Sequence, residues 1–224
     1  HKTFTNGVGA IALSPNGKQT ALVIRGELFV RSTDKNNKKT VNVSHSSYRD
    51  RMPLWLNDSA LVFVSDRDGQ NDLYLLKSDD DKEPNVLNSL KHKVIRLTET
   101  KENEQYPMLS PDGKSIAYNR GRGELIVAKI NENGKLSNQN VLLNGWAEAD
   151  GVSWSPDSNW LAYSLSDLDF NDEVYIHKAD NSQAPVNVSM HPKRDGGPIW
   201  SADGKKLVFS SDRNNNDFDV WFIW

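Results

Sequence analysis

The chain has no cysteine in its 224 residues. Disulfides, thiolate metal sites and cysteine nucleophiles are therefore excluded. The absence says little about compartment, with a periplasmic or exported setting favoured over a cytoplasmic one. The first residue is His1 rather than Met, so a processed protein or a piece of a larger one is expected. No apolar run approaches the ~18 residues of a membrane-crossing helix, and no membrane insertion is expected. Net charge is only −3, and Lys and Arg are scattered, which leaves no electrostatic footprint for nucleic acid. There are five histidines: His1, His45, His92, His177 and His191. None stands at a metal-ligand spacing from another, and His92 and His177 read as exposed. G-x-S-x-G, H-E-x-x-H, Walker and G-x-G-x-x-G motifs are all missing. No catalytic residue, metal site or cofactor is assigned to the chain.

What the chain has is a repeated phrase. Ile199-Trp200-Ser201-Ala202-Asp203-Gly204-Lys205-Lys206-Leu207-Val208-Phe209 recurs as Trp154-Ser155-Pro156-Asp157-Ser158-Asn159-Trp160-Leu161-Ala162-Tyr163. It recurs again as Leu109-Ser110-Pro111-Asp112-Gly113-Lys114-Ser115-Ile116-Ala117-Tyr118 and as Leu13-Ser14-Pro15-Asn16-Gly17-Lys18. A shorter copy runs from Trp55 through Asn57-Asp58-Ser59 to Phe63. Each is a strand, a Ser-Pro-Asp-Gly turn and a second strand. Pro presets the first corner, Asp bonds back to the backbone and Gly takes the left-handed position. A third strand follows each pair, for example Asp72 to Leu76, Glu124 to Val127, Glu173 to Ile176 and Asp219 to Ile223. The copies lie about 42 to 54 residues apart, the period of a β-propeller blade. One such sheet cannot bury both faces. Stacked copies would bury Trp55, Trp154, Trp200, Phe63, Tyr118, Tyr163 and Phe209 between blades.

The fold class is therefore all-β, a propeller of four-stranded antiparallel blades, with about five repeats in one domain over 1–224. The blades are expected at 1–45, 46–98, 99–145, 146–190 and 191–224, with 1–8 as a lead-in. Val41-Asn42-Val43-Ser44 through Arg49-Asp50 to Trp55 aligns without gaps to Val186-Asn187-Val188-Ser189 through Arg194-Asp195 to Trp200. The repeat thus includes the outer strand and the crossing between blades. The insertion from Lys77 to Lys91 carries Asp79-Asp80-Asp81-Lys82-Glu83 and reads as a solvated loop, with one helical turn possible over Asn85 to Leu90. The fifth blade reaches Trp224 without a fourth strand. An unpaired edge there would be an aggregation liability, so a parent of six or seven blades is expected.

Turns between second and third strands emerge on the same face as the crossings, and binding residues concentrate on such loops. That face would present Arg49, Arg51, Arg67, Glu104, Tyr106, Arg120, Arg122, Trp146, Glu148, Arg194 and Arg213, of which Arg49, Arg51, Tyr106, Arg120, Arg122, Trp146, Glu148 and Arg194 are the candidate substrate-binding residues. Arginines and aromatics around a central opening suit peptide carboxylates and side chains. Arg67 and Arg213 are instead expected to pair with neighbouring aspartates and brace the blades. Asp66-Arg67-Asp68-Gly69-Gln70-Asn71-Asp72 alternates carboxylates as calcium loops do. Leu75 stands where the bidentate Glu would be needed, so a structural turn is the better reading.

The phrase W-S-P-D-G-K-x-I/L-A-Y/F, then S-D-R, then D-x-Y/W resembles the repeat shared by TolB and the propellers of tricorn protease, over essentially the whole chain. Arg120-Gly121-Arg122-Gly123-Glu124-Leu125 and Ala147-Glu148-Ala149-Asp150-Gly151-Val152 look most like tricorn-type bacterial peptidases. The resemblance implies a non-catalytic propeller that binds or gates peptides for a serine-protease core elsewhere in the parent, whose catalytic residues match no position here. It also implies a peptide or protein partner, with homo-oligomers possible. The alternative is a TolB-like protein-interaction module of the bacterial envelope.

Overall fold

The computed structural model describes residues 6–224, so the lead-in expected over 1–8 lies partly outside the described residues. Nineteen strands and no helix are present among them. The first sheet holds β1 (Val8–Leu13), β2 (Gln19–Ile24), β3 (Glu27–Ser32) and β4 (Thr40–Asn42). The second holds β5 (Asp50–Asn57), β6 (Ala60–Ser65), β7 (Asp72–Ser78) and β8 (His92–Arg96). The third holds β9 (Glu104–Leu109), β10 (Ser115–Arg120), β11 (Glu124–Ile130) and β12 (Leu136–Asn144). The fourth holds β13 (Asp150–Trp154), β14 (Trp160–Ser166), β15 (Asp172–Lys178) and β16 (Val186–Asn187). The fifth has three strands, β17 (Asp195–Trp200), β18 (Leu207–Asn214) and β19 (Asp217–Ile223). These consecutive sheets are the blades of a β-propeller. The chain divides into two compact units, 6–107 with Ile130–Leu136, and Met108–Lys129 with 137–224.

The repeated turn explains itself at atomic level. Gly17, Gly113, Ser158 and Gly204 each donate their N–H to the Ser carbonyl three residues back. All four have left-handed φ, from 62° to 70°. The Ser hydroxyl donates to the side chain two residues on (Asn16, Asp112, Asp157 or Asp203). The same oxygen accepts the N–H that opens the next strand, at Gln19, Ser115, Trp160 and Lys206. The Ser hydroxyl thus closes the hairpin that the backbone alone would leave with an open donor. In the Asp157 and Asp203 copies this hydroxyl holds the carboxyl below its ordinary pKa.

Packing follows the period of two. In the first unit Ala21, Val23, Leu28 and Val30 of the first blade meet Trp55, Leu61, Phe63 and Tyr74 of the second. In the second unit Leu125 and Val127 meet Trp154, Leu161 and Tyr163, and Ala162 and Val174 meet Leu207 and Phe209. The Trp55 indole N–H donates to Ala12 O at 3.0 Å, and the Trp154 indole N–H to Met108 O at 3.2 Å. Both acceptors lie on the first strand of the preceding blade. Trp200 departs from this pattern: it is only half-buried, and its Nε1 is shielded from solvent with no partner. At that seam Ser153 Oγ donates to Pro198 O instead.

Two expectations need correction. His177 is buried, not exposed, because β15 places it at the register position that Leu76 fills in β7. Burial lowers its pKa, and it bonds Tyr163 and Asn181. The insertion after β7 is exposed along its charge run, yet Val86 and Leu87 are buried and join the first unit's core. Asn85 O accepts from both Asn88 and Ser89, a single unextended helical turn.

Candidate functional site

In each unit the turns between second and third strands meet the crossings at one end of the sheets. In the first unit, the turn after β2 is Arg25-Gly26, both at positive φ, and Gly26 O accepts from Asp50 N. Glu104 N donates to Asn71 O, and the Gln70 amide reaches Thr100 O and Glu102 O. Of the candidate residues this end carries Arg49, Arg51 and Tyr106. Arg49 N donates to Asp66 Oδ1, and Arg51 lies 4.0 Å from the other Asp66 oxygen. Tyr106 is exposed, with φ at 55°.

A buried acidic cluster underlies the same end. Asp72, at the start of β7, accepts from Arg96 at 2.7 Å. Glu104, at the start of β9, is fully buried and accepts from Thr98 and Thr100. Burial, then the neighbouring Asp72 carboxylate, pushes Glu104 up to about 7, against the pull of the two threonines. Asp68 sits beside Tyr74 OH and Arg96. The acidic run 66–72 therefore spends its carboxylates on Arg, Tyr and backbone partners, and no group of three or more metal-ligating side chains is placed to hold an ion among the described residues.

The second unit carries Arg120, Arg122, Trp146, Glu148 and Arg194. Arg120 pairs with Glu124 at 2.6 Å, and Glu148 accepts from Asn119. Arg122 is exposed. Trp146 stands edge-on to Phe170, with ring centroids 5.5 Å apart. Phe170, on the β14–β15 turn, and Met190, on the next crossing, face a groove of about 620 Å³ that also contains His191, Lys193 and Arg194. Arg194 borders a second cavity of about 400 Å³ with Glu148, Asp150 and Asp172. Its backbone N–H is held by Asp212, while its guanidinium has no partner among the described residues.

Sequence reading missed Phe170 and Met190. They are 76 % and 78 % exposed, and both sit in the left-handed region at φ 59° and 44°. An exposed apolar side chain on a disfavoured backbone buries little of its own surface, and such strain clusters at ligand clamps. Arg67 and Arg213 are structural, as expected: they reach Asp50 and Asp195 at 2.9 and 2.8 Å.

No protein-family model matches the chain. It is 28 % identical over 125 residues to a TolB homologue of Chlorobaculum tepidum, covering 54 % of this chain and 25 % of that protein. It is 28 % identical over 180 residues to the uncharacterized peptidase YuxL of Bacillus subtilis, covering 78 % of this chain and 23 % of that one. The chain thus spans about a quarter of the length of these curated relatives. Among solved structures it is similar to a TolB from Agrobacterium tumefaciens (TM-score 0.60, 20 % identity, 96 % of this chain and 76 % of that chain). It is also similar to tricorn protease (0.67, 17 %, 97 % and 22 %) and to a puromycin hydrolase mutant complexed with PGG (0.71, 14 %, 96 % and 36 %). These likenesses show the β-propeller fold.

Proposed function

We propose that the chain is a non-catalytic propeller that binds peptide segments at the loop end of its fourth and fifth blades, on behalf of a serine-type peptidase core elsewhere in a longer protein. The observation that carries this reading is the pairing of Phe170 and Met190, exposed, apolar and backbone-strained, with the unpartnered Arg194 guanidinium across one groove. Trp146 extends the apolar wall. An arginine fork takes a carboxylate in two parallel hydrogen bonds, and an adjacent aromatic takes a side chain. Arg120, Arg122 and Glu148 would supply further polar contacts in the same unit, and Arg49, Arg51 and Tyr106 would form a separate contact surface at the loop end of the first unit.

The test uses hexapeptides ending in Leu or Phe, with free or amidated C-termini, titrated against tryptophan fluorescence. Free-acid peptides should bind. Amidation and Arg194→Ala should each weaken binding about ten-fold, the loss of one charge-assisted bond. Phe170→Ser should do the same. Equal binding of amidated and free peptides would overturn the carboxylate role. The alternative is a TolB-like interaction module for a folded protein, favoured by the larger share of the Agrobacterium TolB that this chain matches. On that reading no short peptide binds, whatever its terminus.

A further inference from the structure

The second unit holds a groove of about 560 Å³ between its third and fourth blades, at the end of the sheets where the Ser-Pro-Asp-Gly turns lie. Ser115 and Lys129 of the third blade, Asn138 and Asn140 of β12, and Trp160 and Lys178 of the fourth blade stand in its wall. The first unit has the equivalent place between its own blades, and there it is filled. Gln19 and Ser115 are equivalent, since each opens a second strand by donating its N–H to the turn Ser hydroxyl. Gln19 Oε1 accepts the N–H of Leu87 at 3.3 Å, and Val86 and Leu87 are buried in the cluster that joins the two blades. Lys39 of the first blade reaches Asn88 Oδ1 at 3.4 Å. The connection that plugs this place is 79–91, between β7 and β8, whereas its counterpart in the second unit, between β15 and β16, is only 179–185. The shorter connection reaches β12 through Asn181 Nδ2, which donates to Val141 O at 3.1 Å. It carries no buried apolar pair to lay over Ser115.

The open groove is polar where the plug of the first unit is apolar. Lys129 Nζ donates to Ser115 Oγ at 3.0 Å, and Lys178 Nζ stands over the Trp160 ring, 5.5 Å from its centroid. Neither lysine forms a salt bridge among the described residues. Asp180, also in the wall, accepts the Ser182 N–H at 2.9 Å. The side-chain amides of Asn138 and Asn140 have no hydrogen-bond partner among the described residues. Two cations call for a negative charge. Two open amides, each with a donor and an acceptor, call for groups that also do both, as hydroxyls do. A bare carboxylate or phosphate would engage the lysines and leave the amides idle. The volume suits a small molecule. We propose that this groove binds an acidic saccharide, a uronic acid unit of a glycan, with its carboxylate drawn to Lys129 and Lys178 and its hydroxyls bonded by Asn138 and Asn140. The site shares no residue with the peptide groove, so it stands independently of the peptide reading.

The test titrates digalacturonate, the neutral disaccharide galactobiose and sodium acetate into the chain by isothermal titration calorimetry. Digalacturonate should bind, and galactobiose should bind about ten-fold more weakly for want of the charge-assisted bonds. Acetate should bind more weakly than either sugar. Lys129→Met should weaken digalacturonate about ten-fold and remove its advantage over galactobiose. Asn140→Ala should weaken both sugars alike, because it removes a hydroxyl partner and no charge. Asn140→Trp, which fills the groove from β12, should abolish binding of both. Three results would overturn the proposal. The first is no heat from either sugar at concentrations up to about 10 mM. The second is acetate binding as tightly as digalacturonate, which would make this a simple anion site. The third is unchanged digalacturonate affinity in Lys129→Met and Asn140→Trp, which would place the sugar elsewhere.

Discussion

Arg67 reaches back along its own blade to Asp50, Nη2 to Oδ1 at 2.9 Å, with the carboxylate fully buried. The guanidinium stacks over Phe63 and Tyr74, 5.1 and 4.8 Å from the ring centroids. The fifth blade repeats the arrangement with Arg213, Asp195, Phe209 and Trp221. Removing the arginine leaves a buried carboxylate without its cation, which typically costs about 3–5 kcal/mol. Arg67→Met should therefore destabilise by that order in urea unfolding. Asp50→Leu combined with Arg67→Met should recover most of the loss, because replacing both charges with apolar groups is often neutral. A double variant no better than the single would show that ring stacking, not the ion pair, carries the stability.

Glu104 is the third blade's counterpart of Asp50 and Asp195, counted five residues ahead of Leu109, Trp55 and Trp200. It has no arginine, and its folded pKa is raised to about 7 by burial and by Asp72. A raised acid pKa means that the folded state holds the proton more tightly than the unfolded chain does. The stabilisation is thus fully present below the unfolded pKa of about 4.5 and is lost as pH rises through about 7. The total is on the order of 1–3 kcal/mol. Glu104→Gln, a permanent mimic of the protonated acid, should flatten this slope and be more stable than the parent at pH 8. Equal slopes for both proteins between pH 5 and pH 8 would remove Glu104 as the titrating group.

Gly123 and Gly145 face each other across the third blade's loop end, and Gly145 N donates to Gly123 O at 3.0 Å. A Cβ on Gly123 would fall 2.0 Å from Gly145 O, which is backbone and cannot swing aside. A Cβ on Gly145 would meet nothing within 4 Å. Gly123→Ala should therefore cost roughly 2 kcal/mol or more, and Gly145→Ala should be close to neutral. The pair of melting temperatures checks the close approach directly, since both substitutions change chain entropy alike.

The strand pairs, the hairpin turns and the bracing arginines were legible because each rests on local chemistry repeated in register. Ser14, Ser110, Ser155 and Ser201 announce the turn wherever they fall. His177 was misread because a lone histidine suggests surface. Aligning it with Leu76 and Ile223 in the period of two would have placed it inward. Glu104 reads as a loop-face residue, since Glu stands there in place of the Asp50 and Asp195 carboxylates, and the structure buries it. Val86 and Leu87 were hidden by the charges just before them. Phe170 and Met190 carried no sequence signal. Apolar residues in loops are common, and only the backbone shows that these two are strained.

The same left-handed residue recurs in four first strands, three positions before the Trp site: Met52, Tyr106, Gly151 and Gly197, with φ of 49°, 55°, 59° and 62°. The fourth and fifth blades place glycine there, where the conformation carries no Cβ penalty. Tyr106 occupies it at a cost of about 1–2 kcal/mol and leaves its ring exposed. Tyr106→Gly removes the strain but adds chain entropy to the unfolded state, so stability should stay level or rise by up to about 1 kcal/mol. Tyr106→Ala keeps the strain and loses the ring's remaining contacts, so it should be the less stable of the two. Urea midpoints in the order Gly above Ala would establish that the backbone, not the side chain, is under tension.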